Sequence, residues 1–413
     1  MIIGRILFVF FLFLSVLPCR SQERSLEYFL SEGIKNSPLI KDLKGQIQSN
    51  GIDSIILRAR NKPKAEFRGY AFYAPVVNNY GYSEILTNIA NLTSVMSVSQ
   101  PIFNKKILEG NLLKTGIQGQ SLTNNLHLTE LSLKKEITAA YLDIWSTSAD
   151  ISLNLELLSF SREQKNILRS LTENGIYKQT DFLSFMIGFQ ELELQAKALN
   201  IQIHKQISGL YILCGIRDTA TFIPVSPDLS GSSPARQGRS PLFIRFYLDS
   251  LRISNEHLLI DRNYHPSVSW FSDAGLINND PAVIYQNFGF SVGLNFTLPV
   301  YDGNQRKLNH QKLKYEEEIR TSYAESYRRV YSQQYQQLSD EKTQTLALFP
   351  AVKAEVDNAR LLVDQEKELV NKGNGSITDY LIAVKNYLSV RKSFNQYEIR
   401  IMQIENEINF IKN

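Results

Sequence analysis

The sequence predicts a mainly α-helical chain with a small β part. It is internally duplicated, with four transmembrane-type β-strands and long antiparallel coiled-coil helices. Three observations predict this. From Phe288 to Leu298 every second residue is large and apolar: Phe288, Phe290, Val292, Leu294, Phe296 and Leu298. Between them stand Gly289, Ser291, Gly293, Asn295 and Thr297, all small or polar. This is the period-two pattern of a strand with one greasy and one wet face, and the run is as long as a tilted transmembrane strand, roughly 9–11 residues. The second observation is that Pro299 leads into no hairpin but into a long, charged helical stretch, with the same hand-over after Pro101.

The third is an internal repeat. Ser37-Pro38-Leu39 returns as Ser240-Pro241-Leu242, and Pro63 as Pro266, each 203 residues on. Ser99-Gln100-Pro101-Ile102-Phe103-Asn104 corresponds to Thr297-Leu298-Pro299-Val300-Tyr301-Asp302, at an offset of 198. Gly175 with Thr180-Asp181-Phe182-Leu183 corresponds to Gly373 with Thr378-Asp379-Tyr380-Leu381, again at 198. The expected layout is a signal segment 1–22, a first repeat 23–225, a linker 226–240 and a second repeat 241–413.

In the signal segment, Arg5 precedes an apolar run from Ile6 to Val16 that Pro18 ends, the order of an export signal. The run is too short for a transmembrane helix. Cys19 follows Leu17-Pro18 and not the small residue that lipid attachment favours. The 45 basic and 41 acidic residues give +4, and losing Arg5 and Arg20 leaves +2. That balance points to no nucleic-acid partner. Cys214, the second of the two cysteines, then has no partner for a disulfide and reads as a buried, inert thiol.

The first repeat begins with an amphipathic helix, Leu26 to Arg60, weakened at Gly33 and Pro38 and stopped by Lys62-Pro63. Strands are expected next at Ala65–Tyr73 and Leu92–Gln100, joined by a loop with Asn78-Asn79-Tyr80-Gly81. The second repeat has strands at Ser267–Ala274 and Phe288–Leu298, joined by a loop over Gly275–Gln286. A proline-free helix runs from Asn104 to Thr172, long enough to span roughly 100 Å. Its counterpart runs from Asp302 to Asn371, where Pro350 is expected to kink or split it. Asn174-Gly175 and Gly373-Asn374-Gly375 make the turns. The last returning helix carries Ile377, Leu381, Val384 and Leu388 at three-four spacing, an antiparallel coiled-coil pattern.

Four membrane strands cannot close by themselves, since the smallest transmembrane barrels have about eight and open edges are not tolerated in lipid. The chain must share its barrel with copies of itself; two copies would supply about eight strands and three about twelve. The helices would continue the wall outside the membrane.

The order of parts and the local motifs resemble the TolC family of outer-membrane efflux and secretion channels. Those motifs are Ser25-Leu26-Glu27, Ser97-Val98-Ser99-Gln100-Pro101-Ile102-Phe103, Ala140-Tyr141-Leu142-Asp143, Asn174-Gly175 with Thr180-Asp181, Pro350, and Gly373 with Ile377-Thr378-Asp379-Tyr380-Leu381. The resemblance covers essentially the whole mature chain. It implies a homotrimer with its barrel in the outer membrane of a Gram-negative-type cell, and an α-helical barrel in the periplasm. It also implies a periplasmic adaptor and an inner-membrane transporter as partners, and no catalysis. The periplasmic tip, where the channel is gated, would hold Gly175, Thr180, Asp181, Gly373, Thr378 and Asp379. Some relatives have a further acidic residue and an arginine where this chain has Ile382 and Gly375, which argues against a tightly latched gate. The lipid-facing residues of the fourth strand would be Phe288, Phe290, Val292, Leu294 and Phe296.

No enzyme motif, cofactor motif or metal-ligand spacing is present, and His127, His204, His257, His265 and His310 are scattered. Four methionines argue against a soft-metal conduit. Glu316-Glu317-Glu318 and Arg328-Arg329 read as a solvated helix face. Tyr323, Tyr327, Tyr331 and Tyr335 read as a seam between helices, with a tunnel lining as the other reading. Two rival functions are a periplasmic adaptor and a structural coiled-coil envelope protein. The adaptor would carry one helical hairpin, not a duplicated unit, and the coiled coil would leave the strands unexplained. The walls carry no readable preference for cargo.

Overall fold

The computed structural model describes residues 23–75, 77–78, 80–81, 90–102, 105–218, 220–227, 240–278 and 283–412. The expected signal segment, most of the loop before the second strand, Asn279-Asp280-Pro281 and most of the linker lie outside the described residues. In chain order the elements are β1 (Glu23–Arg24), α1 (Leu26–Asn36), α2 (Pro38–Ala59), β2 (Lys64–Tyr73), β3 (Ala90–Pro101), α3 (Lys105–Glu173) and α4 (Gln179–Cys214). Then come β4 (Ile223–Pro224), α5 (Pro241–Asn263), β5 (Ser267–Asn278), a 3₁₀ turn (Ile284–Gln286), β6 (Phe288–Thr297), α6 (Gln305–Asn371) and α7 (Ile377–Lys412). Helix, two strands, long helix and returning helix thus occur twice in the same order.

The chain forms two compact units from alternating segments. One comprises Met1–Ile40, Leu128–Ser240 and Arg329–Asn413, the other Lys41–His127 and Pro241–Arg328. In the first unit, one core gathers Phe29, Tyr141, Tyr211 and Phe222, with ring centroids 4.9–6.3 Å apart. Burying each such ring stabilises by about 1.5–3 kcal/mol. The polar ends are satisfied at its rim: the Tyr141 hydroxyl lies 2.9 Å from the Arg24 carbonyl and accepts the Val225 amide at 2.8 Å. Here β1 pairs in parallel with β4, and Arg24 is bonded to Asp218 at 2.7 Å. Cys214 is buried in the same core as a free thiol, and burial pushes it up to about 12.

A second core in this unit joins the long helices. Val356, Val363 and Val370 of α6 repeat every seven residues and meet Leu153, Leu157 and Leu168 of α3, with Phe185 and Phe189 of α4. On α7 the buried stripe is Ile377, Tyr380, Val384 and Tyr387, while Leu381 and Leu388 are half-buried. Of the expected stripe, Ile377 and Val384 lie in this core, and Leu381 and Leu388 pack against it from its margin, beside Tyr380 and Tyr387.

The second unit holds a four-stranded antiparallel sheet of order β2-β3-β5-β6. Three boundaries differ from those read in the sequence. Strand β5 runs to Asn278, because its pairing with β3 continues through Gly275↔Val95 to Asn278↔Leu92. The first helix is divided at Ser37, since Pro38 lacks the amide that would continue it and starts α2 instead. Pro350 does not split α6, which is continuous over 67 residues. One lost hydrogen bond is outweighed by packing on either side, including an edge-on contact of Phe349 with Phe394 at 5.5 Å.

Candidate functional site

Side chains alternate along a strand, and residues paired across strands share a face. The register therefore sorts every strand residue. One row reads Glu66↔Ser97↔Asp273↔Ser291, the next Phe67↔Met96↔Ala274↔Phe290. The charged residues of the four strands, Lys64, Glu66, Arg68 and Asp273, all fall on the first face. There Arg68 donates to Ser97 Oγ at 2.5 Å, Ser97 donates to Asp273, and Arg68 lies 3.6 Å from Asp273. The opposite face carries Phe67, Tyr73, Leu92, Met96, Val98, Trp270 and Leu276, together with Phe288, Phe290, Val292, Leu294 and Phe296 of β6. It has no charge, yet its side chains are open: Phe290 is 83% and Leu294 69% exposed. A large apolar sheet face uncovered by its own chain marks a contact with lipid or with another protein.

The two helical turns are built alike. Gly175, at φ 77°, and Gly373, at φ 73°, take the left-handed conformation that ends a helix. The Gly175 amide bonds Thr172 and the Ile176 amide Leu171; the Gly373 amide bonds Val370 and the Asn374 amide Leu369. Both turns are thus the same six-to-one and five-to-two cap. Asp181 and Asp379 lie in the first turns of α4 and α7, favourable to the helix dipole. The Asp379 amide reaches Ser376 Oγ at 3.4 Å, one of the two bonds of a capping box. Thr180, Thr378 and Asp379 are exposed and Asp181 half-buried. One tie leaves no signature in the sequence: Tyr177 donates its hydroxyl to the Gly375 carbonyl at 2.8 Å, joining the first turn to the second.

No family model matches the sequence, and no curated protein matches it. Solved structures do. CusC, described for its transmembrane channel formation, matches with a TM-score of 0.79 at 9% identity, over 95% of this chain and 92% of that one. The outer membrane protein VceC of Vibrio cholerae matches at 0.75 and 11% identity, over 94% and 95%. The CmeC outer membrane channel of Campylobacter jejuni matches at 0.75 and 13% identity, over 94% and 84%. The chain has the fold of the TolC-like outer-membrane channels.

Within this channel fold, the tyrosine ladder of α6 is divided in its roles. Tyr327 packs on Phe243 and Phe246 at 5.7 and 5.6 Å, and Tyr335 lies under the Lys412 ammonium at 5.5 Å. Tyr323 is 68% exposed. No helix among the described residues is long and apolar enough to cross a membrane, and none of their His, Cys, Asp and Glu side chains form a group of three or more able to hold a metal ion.

Proposed function

We propose that this chain is the subunit of an outer-membrane channel, a conduit and not an enzyme, that gives cargo an exit across the outer membrane and periplasm. The observation that carries the reading is the charge-free, uncovered face running across all four strands, in a chain with the channel fold over 94–95% of its length. On this reading Phe288, Phe290, Val292, Leu294 and Phe296 meet lipid, and Lys64, Glu66, Arg68 and Asp273 face water. The chain is a duplicated pair of units, 23–225 and 241–413, joined by a linker and exported by residues 1–22.

Four strands leave β2 and β6 as open edges, which lipid does not tolerate. A homotrimer would close them into a barrel of about twelve strands. The turns with Gly175, Thr180, Asp181, Gly373, Thr378 and Asp379 form the periplasmic tip, where an adaptor and an inner-membrane transporter deliver cargo. The channel reading is favoured over an adaptor because an adaptor has no use for an uncovered apolar sheet.

The test is extraction followed by reconstitution. The full chain is expected to need detergent, to run as a trimer by mass measurement, and to give discrete conductance steps in planar bilayers. A detergent-independent soluble particle would assign it to the structural coiled-coil class, and a stable monomer would refute the shared barrel.

A further inference from the structure

We propose that the first unit binds a small uncharged aromatic molecule with one hydrogen-bonding group, in a cavity between α3, α4 and α7. The cavity holds about 220 Å³. Its apolar walls are Phe185, Phe189 and Leu192 of α4 with Leu381, Val384 and Leu388 of α7, all residues of this one unit. Folded interiors pack as densely as organic crystals and leave few voids larger than a water molecule. A hollow of this size in a helical seam is room for an occupant.

Ser161 of α3 is the polar group inside. It lines the cavity and is only 4% exposed. Other hydroxyls of α3 turn back onto their own helix. Thr147 donates to the Asp143 carbonyl at 3.0 Å, Ser152 to Ser148 at 3.0 Å and Thr172 to Leu168 at 2.8 Å. Ser161 makes no such bond and has no hydrogen-bond partner among the described residues. A buried hydroxyl without a partner is costly, so a guest that bonds Ser161 Oγ regains what the fold leaves open. Water is a poor substitute, because a buried water takes about two to four polar partners. At the mouth stand Gln195 and the ion pair of Glu191 with Lys385, at 3.3 Å. The pair's charges cancel, so the mouth favours neither sign and an uncharged guest enters.

Gly188 sets the width. Glycine weakens the interior of a helix, and neither backbone nor crowding demands one here. Gly188 is not left-handed, and a Cβ would meet only Leu381 Cδ2, at 3.4 Å. What the missing side chain leaves is space in the cavity wall. An engineered cavity of about 150 Å³ lined by leucine, isoleucine and phenylalanine binds benzene. One about half as large again takes about nine non-hydrogen atoms, the size of indole. The rings of Phe185 and Phe189 favour an aromatic guest through edge-to-face or offset contacts. An indole N–H has Ser161 Oγ to donate to.

The test follows the fluorine resonance of 5-fluoroindole titrated against the full chain in detergent. Gly188→Leu in the same micelles is the reference, so that partition into detergent cancels. Wild type is expected to give a saturable shift equivalent to one site per chain. Gly188→Leu fills the cavity and should abolish that shift while raising the melting temperature, since leucine is the better helix former. Ser161→Ala should weaken binding by about 2–12-fold, the loss of one hydrogen bond. Fluorobenzene, which cannot make that bond, should bind wild type and Ser161→Ala alike. No saturable shift beyond that of Gly188→Leu, or equal affinity of 5-fluoroindole for wild type and Ser161→Ala, would overturn the proposal. None of these readouts depends on channel activity, so a failure here leaves the channel reading standing.

Discussion

Replacing Leu294 with arginine tests which side of the sheet meets the membrane. Leu294 stands in the uncharged face opposite Trp270, is 69% exposed, and has six strand residues before it and three after. Arginine on the lipid face costs about 2–4 kcal/mol at the bilayer midplane and less near the interfaces. In a trimer the effect enters three times, about 6–12 kcal/mol, comparable with the whole stability of about 5–15 kcal/mol typical of folded proteins. Asn295 is the control. It pairs with Ser269 on the charged face, where an added guanidinium remains in water. The assay is the fraction of assembled oligomer on a semi-native gel of extracted membranes, with total expression as the reference. Leu294→Arg should abolish assembly and Asn295→Arg should leave it near wild type. Equal loss in both variants, or tolerance of both, would refute the assignment of faces.

Tyr177→Phe removes the bond to the Gly375 carbonyl and should lower stability by about 0.5–1.5 kcal/mol, read as a lower melting temperature with normal assembly. Asp181→Asn, Asp379→Asn and the double variant should reduce a modest cation preference in single-channel recordings, because wet carboxylates about 6 Å apart repel by only about 0.7 kcal/mol; unchanged selectivity would leave both as helix caps. Cys214 should resist maleimide near neutral pH in the folded chain and react once it is unfolded. Since the folded thiol keeps its proton up to about 12, against 9.0 ordinarily, its linked stability is full below 9.0 and declines as pH rises through that window. Alkaline melts of wild type and Cys214→Ala should therefore converge with rising pH.

The fold is legible where the physical cause is local. Period two places β6 to within a residue of its end, and the left-handed glycines place both turns. Long-range pairing has no such signature. Strand β5 outruns its expected end at Ala274 because the partner strand β3, and not its own alternation, sustains it to Asn278. The α7 stripe is read at Ile377 and Val384, but its fuller burial at Tyr380 than at Leu381 is not, because both are apolar enough to fill a seam and only the facing helices decide between them. At the candidate site, the apolar face of β6 is readable directly, whereas the Arg68–Ser97–Asp273 network joins residues as far apart in sequence as Arg68 and Asp273. His257 and His310, 53 residues apart, look scattered for the same reason.

The outer edges of β2 and β6 have no strand beside them among the described residues, so each presents a row of unpaired amides and carbonyls. In lipid such a row makes a lone inserted chain a high-energy species, and folding becomes a reaction of higher order in protein concentration. Assembly should then be slow and incomplete when expression is low, and chains waiting for partners should be the fraction that proteases remove. A copy with a spoiled edge would join a ring and prevent its closure. Such a variant should be dominant over the wild-type chain in a cell that makes both.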